Sequence, residues 1–167
     1  NRTECILPVN TYIATAEAVS AIGAKVVLVD NDDYYNIDVA KIEEKITEKT
    51  NALLPVHYTG YMTDMRKINQ LSDKYSIPVI EDACQSVLGA IDGKNAGTWG
   101  LAGAFSLHPL KNINVWSDGG VIVTNDAGLN EKLRLLRNHG FKDRDTVVTM
   151  GYNSRLDSIQ AVVGNWL

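Results

Sequence analysis

Cysteine is scarce in this chain: Cys5 and Cys84 are the two copies in 167 residues, and no CxxC occurs. Two cysteines cannot build a disulfide framework, and unpaired thiols favour a reducing, cytoplasmic setting. Histidine is as sparse. His57, His108 and His139 are scattered, there is no HExxH, and a metal centre is not expected. No GxGxxG follows a strand and no GxxxxGK[ST] is present, so the usual dinucleotide and phosphate-loop signatures are missing. A GxSxG elbow is absent as well. The apolar runs are strand-sized, which predicts no membrane span. The opening NRTECILPVN has no basic segment followed by a long apolar one, so no signal peptide is expected. With 16 basic against 20 acidic residues and no dense Lys/Arg run, nucleic acid is not an expected partner. Asn1-Arg2-Thr3 matches the glycosylation triplet without supporting context.

What is present is an ordinary globular composition, 45% hydrophobic and 22% charged, at a length that fits one domain. No repeat, low-complexity tract or linker interrupts it. TYIATAEAVSAIG reads as a helix stopped by Gly23. KVVLVD (25–30) is a β-branched apolar run, expected to be a buried strand. Residues 38–47 place Val39, Ile42 and Ile46 on one helical face behind Asp38 as N-cap. ALLPVH (52–57) is a strand, and Met65, Ile68, Leu71 and Tyr75 mark a helix over 64–75. VIEDA, AGAFSL (102–107) and GGVIVTN (119–125) are further strands. A helix is expected over 127–139, and a last one opening at Ser154-Arg155-Leu156-Asp157.

Alternating strands and helices predict an α/β fold, a mostly parallel sheet with helices on both faces. The eleven residues 108–118 are too few for a parallel crossover, so strands 102–107 and 119–125 are expected to be antiparallel and the sheet mixed. The chain does not begin with Met and stops within a helical pattern, and it is read as a fragment of a longer one.

In open α/β sheets ligands bind at the carboxyl ends of the strands. Asp82 ends VIEDA with Gln85 three residues on, Ser106 ends AGAFSL, and Lys111 lies just beyond. Each has an ordinary structural reading: Asp82 as a helix cap, Ser106 as a satisfied strand-end hydroxyl, Lys111 as a solvated charge. Their joint arrangement suggests one pocket.

EDACQS (81–86), FSLHPLKN (105–112), SDGGVIVTND (117–126), LRNHG (136–140) and GYNSRLDSIQA (151–161) carry a resemblance. So do PVNTYIATAEAVSAIGAKVVLVD and PVHYTGYMTDM, in order. The set resembles the DegT/DnrJ/EryC1/StrS family of pyridoxal-phosphate-dependent sugar aminotransferases of fold type I. The resemblance implies a fold type I large domain over residues 1–167, incomplete at both ends and lacking the small C-terminal domain. It implies pyridoxal 5'-phosphate as cofactor and Lys111 as its Schiff-base lysine. Asp82 matches the carboxylate facing the pyridine nitrogen, Gln85 the residue near the phenolic oxygen, and Ser106 a phosphate-binding hydroxyl. Tyr12 matches the ring over the pyridine face. Asn153 matches an asparagine that reaches the cofactor phosphate of the neighbouring subunit of a homodimer.

The implied substrates are a nucleotide-linked keto-sugar and an amino-acid donor such as glutamate, in polysaccharide or secondary-metabolite synthesis. A non-catalytic regulatory or assembly member and a nucleotide-dependent oxidoreductase are the alternatives. The sequence departs from the family at Ser117, where glycine is usual, at Asp118, where glutamate is more usual, and at Cys84, where alanine is common. Cys84 is read as a buried, non-nucleophilic thiol. His57, His108 and His139 are read as structural or loop residues.

Overall fold

The computed structural model describes residues 3–166, so Asn1 and Arg2 of the glycosylation triplet, and Leu167, lie outside the described residues. Among the described residues eight strands and four α-helices follow one another: β1 Glu4–Pro8, α1 Ile13–Ala21, β2 Lys25–Val29, β3 Thr50–Leu53, α2 Met65–Tyr75, β4 Ile80–Asp82, β5 Ala90–Ile91, β6 Lys94–Asn95, β7 Ala102–Ser106, β8 Gly120–Val123, α3 Ala127–Leu136 and α4 Ser158–Trp166.

Two three-stranded ladders, β2-β1-β3 and β4-β7-β8, carry the architecture. Parallel bridges at Leu53–Val79 and Val56–Asp82 bring them edge to edge. The amide of Asp82 donates to Pro55 O at 2.9 Å and that of His57 to Asp82 O at 3.0 Å, so the seam is hydrogen-bonded. β1 pairs parallel with β2 and β3, β4 pairs parallel with β7, and β7 pairs antiparallel with β8. The mixed, mostly parallel sheet is therefore as expected, including its antiparallel end.

All five residues of β1 are buried, and their side chains alternate between faces. Ile6 joins Leu53, Val29, Met65 and Ile68 on the α2 side. Cys5 and Leu7 join Val19 and Ala52 on the α1 side. Helices thus cover both faces. α2 sits as its spacing predicts, with Met65 and Ile68 buried and Leu71 and Tyr75 packed on the same cluster. Side chains such as Ile6 and Leu7, fully removed from water, each contribute about 1.5–3 kcal/mol of transfer free energy.

Four expectations need correction. The strand at 25–30 is an edge, not a buried strand, and Leu28 is half exposed. Residues 38–47 form two 3-10 turns, Val39–Lys41 and Glu43–Lys45, rather than an α-helix. Asp38 does cap the first, accepting from the amide of Ala40 at 3.1 Å, but Ile46 is already extended on the way to β3. So short a segment gains too little from helical bonds to propagate beyond its first turns. The last helix begins at Ser158, not Ser154. Ser154 instead donates its amide to Arg137 O at 2.9 Å, and Arg155 Nη1 reaches Asn138 Oδ1 at 2.7 Å. These bonds tie the segment to the end of α3 and outcompete the capping pattern. The helix at 127–139 ends at Leu136, where the Gly140 N–H donates to one of its open carbonyls, Leu135 O, at 2.8 Å.

Two features were not anticipated. ECILP is the most buried strand of the sheet. Asp92 and Gly93, both at positive φ (53° and 75°), turn the β5–β6 hairpin. An Asp-Gly pair at such angles is the hairpin turn that suits the strand twist.

Candidate active site

The carboxyl ends of β4 and β7, adjacent and parallel, carry Asp82, opposite Ala104, and Ser106, two residues beyond Ala104. The segment after β1 brings Thr11, Tyr12 and Thr15 against them. The loop after β7 brings His108 and Lys111. Together with Gln85, Cys84, Val56 and Asp118 these residues line a cleft of about 440 Å³.

Lys111 is held by a tied turn. Pro109 sets the backbone for a turn in which the Lys111 amide donates to His108 O at 2.8 Å. The amide of His108 donates to Ser106 Oγ at 3.2 Å, and the amide of Leu110 to His108 Nδ1 at 3.2 Å. Asn114 Nδ2 donates to Lys111 O at 3.0 Å, and Val115 N returns to Leu107 O. Ser106 and Lys111 are therefore parts of one hydrogen-bonded unit. Because Ser106 Oγ accepts from His108, its own proton is left to donate.

Asp82 is gripped at both carboxylate oxygens. Thr15 Oγ1 donates to Oδ2 at 2.7 Å, and the Cys84 amide to Oδ1 at 3.2 Å. The second bond is a local turn and not the cap of a helix. Thr11 Oγ1 lies 2.7 Å from Thr15 Oγ1. Gln85 Oε1 accepts from the Thr59 amide at 2.8 Å, which leaves the Gln85 NH2 as the free end. Thr59 itself holds φ +54°, a strained position for a β-branched residue, at the turn that supplies this bond.

Behind the cleft lies a buried polar pair. His57 and Glu81 have no exposed surface, and His57 Nε2 meets Glu81 Oε2 at 3.0 Å. Glu81 also accepts from the amides of Gly97 (2.8 Å), Trp99 (2.6 Å) and Gly100 (2.8 Å). Burial raises the Glu81 pKa, but the bonds from His57, Gly100 and Gly97 outweigh it and the carboxyl lies below its ordinary value. Cys84 behaves oppositely. Burial and the charge of nearby Asp82 push its thiol up to about 12, against a smaller opposing pull from Lys111.

The structure thus brings Tyr12, Asp82, Gln85, Ser106 and Lys111 to one cleft. Tyr12 stands at its rim as the N-cap of α1, 73% exposed. Asn153 is not among the lining residues; it is exposed and bridges to Asn138. Thr11, Thr15 and the His57–Glu81 pair escaped the sequence reading, since threonines in a helix and a Glu beside an Asp give no long-range signal. A wider hollow, about 630 Å³, lies beside Tyr34, Tyr61 and Arg66. Its charges are largely committed to one another, Arg66 Nε to Asp92 at 2.7 Å and Lys67 to Asp64 at 3.2 Å, so the reactive groups gather in the smaller cleft. No cluster of potential metal ligands occurs among the described residues.

Solved structures share this arrangement of strands and helices. DesV of S. venezuelae, solved with a ketimine intermediate, superposes with a TM-score of 0.93 at 41% identity, covering 98% of this chain and 44% of that one. NtdA from Bacillus subtilis, solved with bound cofactor PMP, gives 0.89 at 38% identity, covering 98% and 38%. The fold is therefore that of the fold type I, pyridoxal-phosphate-dependent aminotransferases. A relative from Acidithiobacillus ferrooxidans, named UDP-N-acetyl-3-dehydro-alpha-D-glucosamine 3-aminotransferase, is 47% identical over 161 residues, 96% of this chain and 44% of its own length. The model of the DegT/DnrJ/EryC1/StrS aminotransferase family matches residues 1–166, and the chain belongs to that family. It spans less than half the length of these relatives.

Proposed function

We propose that this chain is the cofactor-binding large domain of a nucleotide-sugar aminotransferase, which moves an amino group from an amino acid such as glutamate to a keto-sugar. The convergence of Asp82, Gln85, Ser106 and Lys111 on one cleft carries the reading. The donor set fits pyridoxal 5'-phosphate: a fixed carboxylate for a pyridine N–H, an amide NH2 for a phenolic oxygen, a hydroxyl for a phosphate and a primary amine for an aldehyde. When bound, that cofactor supplies an aldehyde with which amines condense and a ring that withdraws electrons from the substrate carbon.

The chain's own residues do the rest. Asp82, clamped at both oxygens, would accept the ring N–H and favour the positive charge on that nitrogen. Ser106 would hold the cofactor phosphate, the Gln85 NH2 would hold the phenolic oxygen, and Tyr12 at the rim would cover the ring. Lys111 Nζ would hold the cofactor covalently and would be the base that carries the proton taken from the substrate carbon. The His108–Lys111 turn fixes where that amine starts.

Exposed Leu110 and Trp116 beside the cleft, 88% and 78% accessible, favour a covering surface, which we assign to the second subunit of a homodimer. Asn153 would contribute to that subunit's cofactor phosphate. No helix among the described residues is long and apolar enough to cross a membrane, and the two free thiols fit a cytoplasmic setting.

Addition of pyridoxal phosphate to the purified chain, reduction with borohydride and peptide mapping test the proposal. Modification at Lys111 that disappears in Lys111→Ala is the expected result. A folded chain that shows no adduct, or one labelled at another lysine, would overturn it in favour of a non-catalytic regulatory or assembly role.

A further inference from the structure

Thr11 and Thr15, whose side-chain oxygens lead into Asp82, have no part in the chemistry assigned above. Thr15 is 7% exposed and lies in the first turn of α1, while Asp82 ends β4, 67 residues away. An ionised carboxylate has no proton to give, so the 2.7 Å bond is donated by Thr15. Its one proton being committed, Thr15 must accept from Thr11 across their 2.7 Å contact. The direction of the chain is thereby fixed, running from the helix start into the carboxylate. Hydrogen bonds in such a series polarise one another.

The backbone of Asp82 is locked by the sheet seam, with its N–H on Pro55 O and its carbonyl accepting from His57. The remaining freedom is rotation of the carboxylate, a soft torsion. The Cys84 amide holds one oxygen at 3.2 Å and Thr15 holds the other at 2.7 Å. One donor from α1 and one from the turn after β4 thus restrain the two oxygens of a carboxylate that lines the cleft.

We propose that Thr15 is a positioning residue: its hydroxyl, itself held by Thr11, fixes Asp82 to receive the protonated nitrogen of a pyridine cofactor. This inference rests on the reading of the cleft as a pyridoxal phosphate site. Valine is nearly isosteric with threonine and keeps the packing of α1 while deleting the donor. Serine keeps the donor and loses a methyl group.

A double-mutant cycle separates positioning from simple packing. Pyridoxal phosphate affinity is measured by visible titration for wild type, Thr15→Val, Thr15→Ser, Asp82→Asn and Thr15→Val/Asp82→Asn, with circular dichroism confirming the fold. A charge-assisted bond of this type corresponds to a roughly tenfold or greater loss in Thr15→Val. Thr15→Ser is expected to stay close to wild type, and Thr15→Val to cost nothing further once Asp82 is Asn. An unchanged affinity in Thr15→Val, or an equal loss in both backgrounds, overturns the proposal. Should Thr15→Val fail to fold, Thr15→Ala is read in its place. A second reading needs no cofactor: the carboxyl-carbon resonance of Asp82 in the unloaded chain should move in Thr15→Val and return in Thr15→Ser. If it does not move, Thr15 does not act on Asp82. If wild type binds no pyridoxal phosphate, the functional reading fails and this resonance alone decides the role of Thr15.

Discussion

His57 donates from Nε2 to Glu81 Oε2 across 3.0 Å with neither side chain exposed to solvent. The direction follows from the other ring nitrogen, since Nδ1 accepts the Thr63 amide at 3.3 Å and the ring proton must then sit on Nε2. Glu81 further receives the amides of Gly97, Trp99 and Gly100. Because β4 alternates, Glu81 points to the α2 side while its neighbour Asp82 faces α1 and the cleft. One residue therefore anchors the 96–100 loop under the sheet, and the next presents a carboxylate to the site. Glu81→Ala strands three backbone amides and a histidine N–H in the interior. A loss of about 3–5 kcal/mol in urea unfolding is expected, the range for breaking one side of a buried polar pair. A loss below about 1 kcal/mol would mean that water enters and satisfies these groups.

Acid should weaken the same pair. The Glu81 carboxyl lies below its ordinary value of 4.5 in the fold, where the His57 bond and two glycine amides overcome the effect of burial. Its contribution is therefore complete above pH 4.5 and is lost as pH falls through the lower, folded-state value. The stability gap between wild type and Glu81→Gln, followed by urea unfolding from pH 7 to pH 3, is expected to stay level above about pH 5 and to narrow below 4.5. A gap that does not narrow would show that Glu81 is not the ionised partner.

The sequence made some of this legible. Period and turn chemistry located α2, the antiparallel β7–β8 pair and the cleft residues of β4 and β7, because those signals are local. It misplaced the start of α4, where the bond of Ser154 to Arg137 overrides a local capping pattern, and it read an α-helix over 38–47, where the segment is too short to go beyond two 3-10 turns. Thr15 and Glu81 were invisible as site-supporting groups for a related reason: the partners of Thr15 and Glu81 lie 67 and 24 residues away. Cys84, expected to be buried, is instead half-buried in the turn after β4 and lines the cleft, where partial burial and the Asp82 charge keep its thiol protonated.

Gly103 of β7 should not tolerate a side chain. A Cβ built there would press into the backbone of Gly97, coming within 2.5 Å of its carbonyl oxygen. Gly97 is also the residue whose amide binds Glu81. Gly103→Ala must displace backbone, since no flexible side chain stands in the way, and it pulls on the buried carboxylate as it does so. A destabilisation of about 1–3 kcal/mol or more is expected from overpacking of this kind, together with a lower melting temperature. Wild-type stability in this variant would show that the 96–100 loop can move away freely.

Helix α3 offers a milder, local test. Asp126 Oδ1 accepts the Leu129 amide at 2.8 Å, satisfying one of the open N–H groups of the first turn. Asp126→Ala is expected to cost about 1 kcal/mol, and Asp126→Asn or Asp126→Ser much less, because those side chains still present an acceptor. Equal losses in all three variants would assign the effect to charge rather than to the cap.

The two thiols should be silent in the native chain, for different reasons. Cys5 is 4% exposed in the core between β1 and α1, and burial raises its pKa. Cys84 lines the cleft and is within reach of solvent, yet burial and the Asp82 carboxylate push it up to about 12, while its S–H faces Ala104 O at 3.7 Å. The thiolate is the reactive form, so at pH 8 about one part in ten thousand of Cys84 would be nucleophilic. A disulfide reagent at that pH is expected to report almost no thiol in the folded chain and two after unfolding in urea. Cys84→Ala should leave pyridoxal phosphate binding intact, because this thiol donates nothing to the cleft that the cofactor needs. Rapid native labelling at Cys84 would instead mean that its thiolate is stabilised, and Lys111, the cation that pulls its pKa down, would be the residue responsible.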